Sequence, residues 1–318
     1  MPECKQSPAF VLCRVPSSMY RKINSSRSWH AFAIISSIIA SIPLLFTQSC
    51  YAQSADTTEG NVKALRDSLF FHAPFDTNGD ARTSRSDGRL YTTESLARKE
   101  WTVGIQRDDV SIAKGAGVFG DCIRFTDKNP KVLCYRGEVL PYGKGPWAGT
   151  VCFWMRLDAD KDLKPGYCDP IQITQKAWND AALFVDFDKD IPRDFRLGVF
   201  SNLTDWNPQN VPWEKWPVEK RPMVTVKNPS FSREAWKHVA FSFENINATN
   251  DRPSKAALYL DGKLQGTIVD PMKFSWELDK TAIMIGIEYI GDLDELMLFD
   301  RSLDEKELQM VIQGKVSK

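Results

Sequence analysis

The stretch TVCFWMRLD (150–158) sends Val151, Phe153, Met155 and Leu157 to one side and Cys152, Trp154 and Arg156 to the other. Successive side chains of a strand point to opposite faces, so this alternation suits a strand that buries one face. HVAFSFEN (238–245) repeats the pattern through Val239, Phe241 and Phe243. ALYLDGKLQGTIV (257–269) is two strand-like runs around Asp261-Gly262, a pair suited to the positive φ values of a type I′ hairpin turn. Such runs recur roughly every 8 to 15 residues between Gly, Pro, Asn and Asp, with no strand–helix–strand alternation. The pattern predicts an all-β chain, an antiparallel two-sheet sandwich, and argues against a parallel sheet. Only LDEKELQMVIQG (303–314) departs from it; it reads as a short amphipathic helix opened by Ser302–Asp304 and ended by Gly314.

The N-terminus reads differently. AFAIISSIIASIPLLF (31–46) is an apolar run behind scattered Arg and Lys, followed by TQSCYAQSAD. That is the layout of a secretory signal, and the run is shorter than the roughly 20 residues a spanning helix needs. The expected organisation is a signal peptide over 1–52, cleaved after Ala52, a linker and short helix over 53–67, and one domain over 68–318. Met19 is an alternative start, and Cys50 an alternative lipid-attachment point. The expected localisation is export: secreted, periplasmic or at the cell surface. Setting 1–52 aside removes Lys5, Arg14, Arg21, Lys22 and Arg27 but only Glu3, so a formally neutral chain becomes one of net charge −4. A weak negative charge gives no reason to expect a nucleic acid as partner.

Of seven cysteines, four follow the signal: Cys122, Cys134, Cys152 and Cys168. An even count in an exported protein is compatible with two disulfides. Cys122 and Cys134 flank DKNP almost symmetrically, so a hairpin there would favour that pairing, with Cys152–Cys168 as the second. The alternative is four small buried apolar residues.

Several blocks carry a resemblance. REAWKHVAFSFEN (233–245), AALYLDGKLQGT (256–267) and IGIEYIGDLDELMLFDRSLDEKEL (285–308) resemble the second half of a laminin-G-like, concanavalin A-type jelly-roll domain, of the kind found in secreted bacterial proteins. LFFHAPFD (69–76) and WAGTVCFWMRLD (147–158) are similar to its opening and central strands. The resemblance covers about 68–310 in the right order. It implies a concanavalin A-like jelly roll with short terminal helices, and it leaves function open, because this fold hosts lectins, glycosidases and interaction modules.

Acid–base chemistry has thin support. In GDLDELMLFD (291–300) a regular strand would place Leu293, Glu295, Met297 and Phe299 on one face and Asp294, Leu296, Leu298 and Asp300 on the other. The resemblance makes this the closing strand of the sandwich, and the alternating Glu-x-Asp string of the glycosidases on this fold is missing. Asp186 and Asp188 in FVDFDKDIPRD share a strand face, and read as a solvated outer surface before they read as a catalytic pair. GAGVFG (115–120) is followed by a strand-like run rather than a helix, so it is a glycine turn and no nucleotide is expected. His72 and His238 sit on strand-like segments and read as hydrogen-bonded sandwich residues, not bases.

FDTNGDARTSRSDG (75–88) imitates a calcium loop through Asp76, Asn78 and Asp80, then fails at Ala81 and Asp87. The resemblance keeps one structural Ca²⁺ open, between the first and last strands, with Asp76 and Asp294 as donors; turn-forming Asp and Asn is the other reading. No further cofactor is required. The remaining candidates are Trp206, Trp213 and Trp216 in LTDWNPQNVPWEKWPVEKRP (203–222), the one long loop-like insertion. Exposed aromatic faces suit a sugar ring or a protein partner, and the same residues could instead fold back as a satellite core. The expected function is a non-catalytic carbohydrate-binding module for a polysaccharide or glycoconjugate. The alternatives are a module that binds a cell-surface protein and, behind it, a glycoside hydrolase.

Overall fold

The structure, a computed structural model, describes residues 59–143, 145–249 and 252–316. The expected signal segment, Met19, Cys50 and Ala52 lie outside the described residues. The described residues fall within one compact unit.

Among the described residues, seventeen strands make two antiparallel sheets. The first runs β15 (Lys263–Val269), β14 (Lys255–Leu260), β13 (Lys237–Ile246), β8 (Trp147–Arg156), β17 (Gly291–Phe299), β1 (Leu69–Ala73) and β2 (Thr83–Ser84), with β6 (Cys122–Phe125) and β5 (Val110–Ala113) added beside β17. The second runs β12 (Met223–Val226), β11 (Phe195–Phe200), β10 (Ala182–Phe187), β9 (Cys168–Thr174), β16 (Ala282–Ile287), β7 (Val132–Arg136), β3 (Tyr91–Thr93) and β4 (Trp101–Val103). This is the predicted two-sheet sandwich.

The period-two residues meet between the sheets. Val151, Phe153 and Met155 from β8 and Val239, Phe241 and Phe243 from β13 face Leu183, Val185, Leu197 and Ile283 in one core. The outer side of the first sheet is also covered. A helix over residues 59–68 contributes Leu65, and the helix Glu305–Ile312 contributes Leu308 and Val311, against Cys152, Tyr259, Met297 and Phe299. Asp304 caps the latter helix: its side chain accepts from Glu307 N–H, and the Glu307 side chain accepts from Asp304 N–H. The hairpin turn is also as expected, with Asp261 at φ +51° and Gly262 at +72° between paired Leu260 and Lys263.

Some expectations are corrected. The first concerns β17, which is not regular. Asp294 pairs with Trp154 and Met297 with Cys152, so β17 carries one extra residue there, and Glu295 sits at φ +52°. This bulge shifts the alternation: Leu293, Leu296 and Leu298 face the core, while Asp292, Asp294, Met297 and Phe299 face out. The predicted faces therefore hold only up to Asp294.

The second concerns the cysteines. All four are free and buried. β6 belongs to one sheet and β7 to the other, so the chain crosses the sandwich between Cys122 and Cys134 instead of turning back as a hairpin. Ile123 and Phe125 point inward from β6, as do Leu133 and Tyr135 from β7, so the two thiols lie on opposite outer faces. Packed sheets are about 10 Å apart, beyond the reach of an S–S bond. Cys152 and Cys168 are likewise on different sheets, the first facing outward and the second into the core. Burial pushes the thiols of Cys122 and Cys134 up to about 12.

The two histidines diverge. His72 Nε2 lies 2.9 Å from Glu295 Oε2, and both side chains are buried. His238 is 1 % exposed against the edge of Trp154, and neither of its ring nitrogens has a partner, contrary to the hydrogen-bonded role expected of it. Burial lowers it from 6.5 to about 4, so it folds neutral. The unfolded chain takes up this proton first as pH falls. Stability from neutral His238 is therefore complete above pH 6.5 and is lost towards pH 4, by about 3 kcal/mol. His238→Phe removes a buried pair of unsatisfied nitrogens, so its melting temperature should match or exceed the parent's at pH 7 and fall less between pH 7 and 4.5. Parallel thermal melts of the two proteins check this, and equal pH slopes would sink the assignment.

Candidate functional site

The three carboxylates of β17 do not converge. Asp292 is held by arginines: Arg124 Nε donates to Oδ1 at 2.7 Å, and Arg124 Nη2 and Arg156 Nη2 to Oδ2 at 3.0 and 2.7 Å. Asp294 Oδ2 accepts from the backbone N–H groups of Val118 and Phe119 at 2.6 and 3.4 Å, and its Oδ1 from Glu295 N–H at 2.9 Å. The glycine loop 115–120 thus wraps one of the protein's own carboxylates. Burial, then the charge of Glu295, raises Asp294 from 3.8 to about 8. Glu295 pairs with His72.

The calcium donors fare similarly. Asp76 Oδ2 and Oδ1 accept from Arg82 and from Asp121 N–H. Asp80 accepts from Leu90 N–H and from the Asn78 amide, and Asn78 Oδ1 accepts from Asp80 N–H. Lys114 Nζ lies 3.1 Å from the Asp76 carbonyl and 2.6 Å from Asp121 Oδ2, so a cation of the chain already occupies that corner. Every oxygen of the proposed set is engaged in a turn or an ion pair. Among the described residues no three His, Cys, Asp or Glu side chains converge to hold a metal. In this arrangement the donor set does not fit a divalent ion.

The tryptophan loop does build a site. It joins β11 to β12, which pair side by side, so its ends are fixed and its body must fold over the outer face of the second sheet. That face is apolar here because Phe184 and Phe200 stack at 5.7 Å. Trp206 and Trp213 lie against Phe200 at 5.0 and 5.8 Å, and Trp178, from the β9–β10 connection, closes on Trp213 at 5.1 Å. Buried Asn207 pins the loop by exchanging hydrogen bonds with Val211 N–H and C=O at 2.9 and 3.0 Å. Two short 3₁₀ turns, Trp213–Lys215 and Val218–Lys220, each follow a proline.

The three candidates therefore separate. Trp213 is committed to the platform, with the Arg221 guanidinium 4.2 Å from its ring centre. Trp206 donates its indole N–H to Asn179 C=O at 2.8 Å and meets Trp216 at 5.3 Å. Trp206 and Trp216 line a cleft of about 370 Å³ together with Lys220, Asp270 and Lys273. Among the described residues no hydrogen bond or ion pair engages the Asp270 carboxylate or the two ammonium groups, and none reaches the buried Trp216 indole N–H. Burial raises Asp270. Sequence reading named Trp206 and Trp216 as candidates but not Asp270 and Lys273, which arrive from the β15–β16 connection with no local motif.

A second cluster lies further along the same face. Asp186, expected as a solvated residue, is 4 % exposed. Arg196 Nε donates to its Oδ1 at 2.9 Å and Nη2 to its Oδ2, while Arg196 Nη1 reaches Asp188 at 3.2 Å. Asp186 faces the irregular Asp169–Pro170 step of β9, so Asp169 is its cross-strand neighbour. Asp169 is half-buried and has no hydrogen-bond partner; burial and the charge of Asp186 hold its carboxyl well above the usual range.

Comparison with known proteins now has a geometry to refer to. Residues 143–309 match the laminin-G model described as the concanavalin A-like lectin/glucanases superfamily. The chain belongs to that superfamily. Solved structures similar to it include domain 4 of a GH43 extracellular arabinanase from Geobacillus stearothermophilus in complex with arabinotriose, at 14 % identity over 76 % of this chain and 96 % of that one, TM-score 0.47. The binding domain of botulinum neurotoxin DC, in complex with SialylT and separately with rat synaptotagmin II, matches at 11 % identity over 79 % of this chain, TM-score 0.49. The chain spans about half of those toxin domains, 52 %. No curated protein matches the sequence.

Arg196 is the test of how the charged cluster of this concanavalin A-like domain is held. Removing one partner of a buried pair costs about 3–5 kcal/mol. Arg196→Met should cost that much at pH 7, and less below pH 5 as the stranded carboxylates protonate. Urea unfolding at both pH values measures it; a loss under about 1 kcal/mol would mean the pair is hydrated.

Proposed function

We propose that this protein is an exported, non-catalytic carbohydrate-binding module. The observation that supports the reading is the Trp206–Trp216 cleft. An indole ring offers a flat apolar face to the C–H side of a sugar, and the Asp270 carboxylate and the Lys220 and Lys273 ammonium groups are unengaged acceptors and donors for hydroxyls. The platform beneath keeps the rings fixed, which lowers the ordering cost of binding. Trp213, half-buried and packed on that platform, serves stability and not contact.

Asp169 and Asp186 favour a second reading, hydrolysis: they are neighbouring carboxyls, one held by Arg196 and the other without a hydrogen-bond partner among the described residues, and a pair of carboxyls is what glycosidases use. On that reading sugar products appear in solution, and Asp169→Asn abolishes them without unfolding the protein.

The deciding experiment incubates residues 53–318 with a panel of soluble and insoluble polysaccharides and measures protein depletion and product release. One glycan class should deplete the protein without products. Trp216→Ala should weaken binding by about 2 kcal/mol, roughly thirtyfold, as a central Trp anchor does. Undiminished binding by Trp216→Ala would move the site elsewhere. No depletion across the panel would overturn the reading in favour of a protein partner at the cell surface.

A further inference from the structure

The cleft at Trp216 does not end at Lys273. Lys273 also lines a second cleft of about 240 Å³, which shares Pro271 with the first, and a third of about 510 Å³, which runs past Asn202 and Ser275 to Trp276. Lys273 borders all three, and one segment, residues 271–277 in the connection between β15 and β16, contributes to the lining of each.

That segment alternates. Met272, Phe274 and Trp276 are buried in the core, whereas Pro271, Lys273, Ser275 and Glu277 are exposed. An extended backbone rises about 3.3 Å per residue, so the exposed row from Pro271 to Glu277 spans about 20 Å. The row is also held still, because neighbouring loops satisfy its backbone. Lys273 N–H donates to Ser201 Oγ at 2.6 Å, and its carbonyl accepts from Asn202 N–H at 2.7 Å. Phe274 N–H donates to Asn247 Oδ1 at 2.7 Å, and Met272 C=O accepts from Asn247 N–H at 2.9 Å.

Resting on the carbohydrate reading above, we infer that these clefts take an internal stretch of a polysaccharide, several sugar units laid along 271–277, and not a single terminal sugar. A site for one small ligand is a single cleft or cavity of about 300–1,000 Å³. Here an extended segment borders three neighbouring clefts in turn and presents Lys273, Ser275 and Glu277 at two-residue intervals: the Lys273 ammonium is unengaged among the described residues, Ser275 Oγ donates to Asn202 Oδ1 at 2.7 Å, and Glu277 is paired with Lys280. A chain lying on the segment meets a new contact at each step, so affinity grows with chain length until the segment is covered.

The test measures Kd by calorimetry for xylan, arabinan, β-1,3-glucan and pectin, and for their oligosaccharides of one to six units. Affinity should rise at least tenfold from one unit to four and then level off. Ser275→Trp, an exposed change that fills the far cleft, should flatten the rise while sparing the shortest binders, and Lys273→Ala should weaken every length. Equal affinity for one unit and six would overturn this inference and leave the carbohydrate reading intact. Failure of every polysaccharide and oligomer to bind the folded protein would overturn both.

Discussion

β17 has two demands that a regular strand cannot meet together. It must bury leucines between the sheets, and it must seat Asp292, Asp294 and Glu295 within four positions. A strict alternation would keep Leu293 inside but turn Leu296 and Leu298 outward, leaving the sandwich without two side chains at its centre. The extra residue at Glu295 resets the period, returning both leucines to the core and Met297 and Phe299 to the outer surface, where the terminal helices cover them. The carboxylates are then each given a separate partner: two arginines, the amides of a glycine loop, and His72. Buried polar groups are tolerable only when partnered, and here the partners also tie β17 to other segments. The acidic run is thus a fastening, which leaves the chemistry to be sought elsewhere.

The candidate cleft lies where the second sheet is left without a covering helix. The first sheet hides its outer face under residues 59–68 and Glu305–Ile312; the second uses its own long loop. Phe184 can lie flat across that face because Gly198 beside it has no side chain to obstruct the ring. Trp213 and Trp206 then have something to rest on, and Trp216 is the ring left over at the margin. The geometry resolves a choice that composition alone leaves open, since the loop is both a satellite core and the wall of a cleft.

The fold was legible because its signal is local. Alternation, the Asp-Gly turn and the cap at Asp304 each act over a few residues, and each has one physical meaning. The errors arise where a local signal has two. The near-symmetry of Cys122 and Cys134 about DKNP is the same for a hairpin and for a chain that crosses between sheets. Nothing marks Glu295 as the residue that will adopt a positive φ, because a bulge is forced by the packing of its neighbours and not by its own preference. The site was half legible for the same reason. Trp216 announces itself in a proline-punctuated loop, whereas Asp270 and Lys273 look like ordinary polar residues until the fold brings them to the tryptophans.

The 271–277 segment has the burial pattern of a strand but belongs to neither sheet. A strand in a sheet spends its backbone on its neighbours; this one spends it on Ser201, Asn202 and Asn247, polar residues at the ends of other connections. The arrangement costs the molecule three ordered loops and returns an extended, rigid ridge whose outward side chains are unobstructed by an adjacent strand. Met272, Phe274 and Trp276 fix the ridge from below through the main core, so its shape is set by the same packing that sets the sandwich. A row fixed so firmly loses little entropy when something is laid against it, and that is the property a weak, repetitive, multi-contact ligand needs.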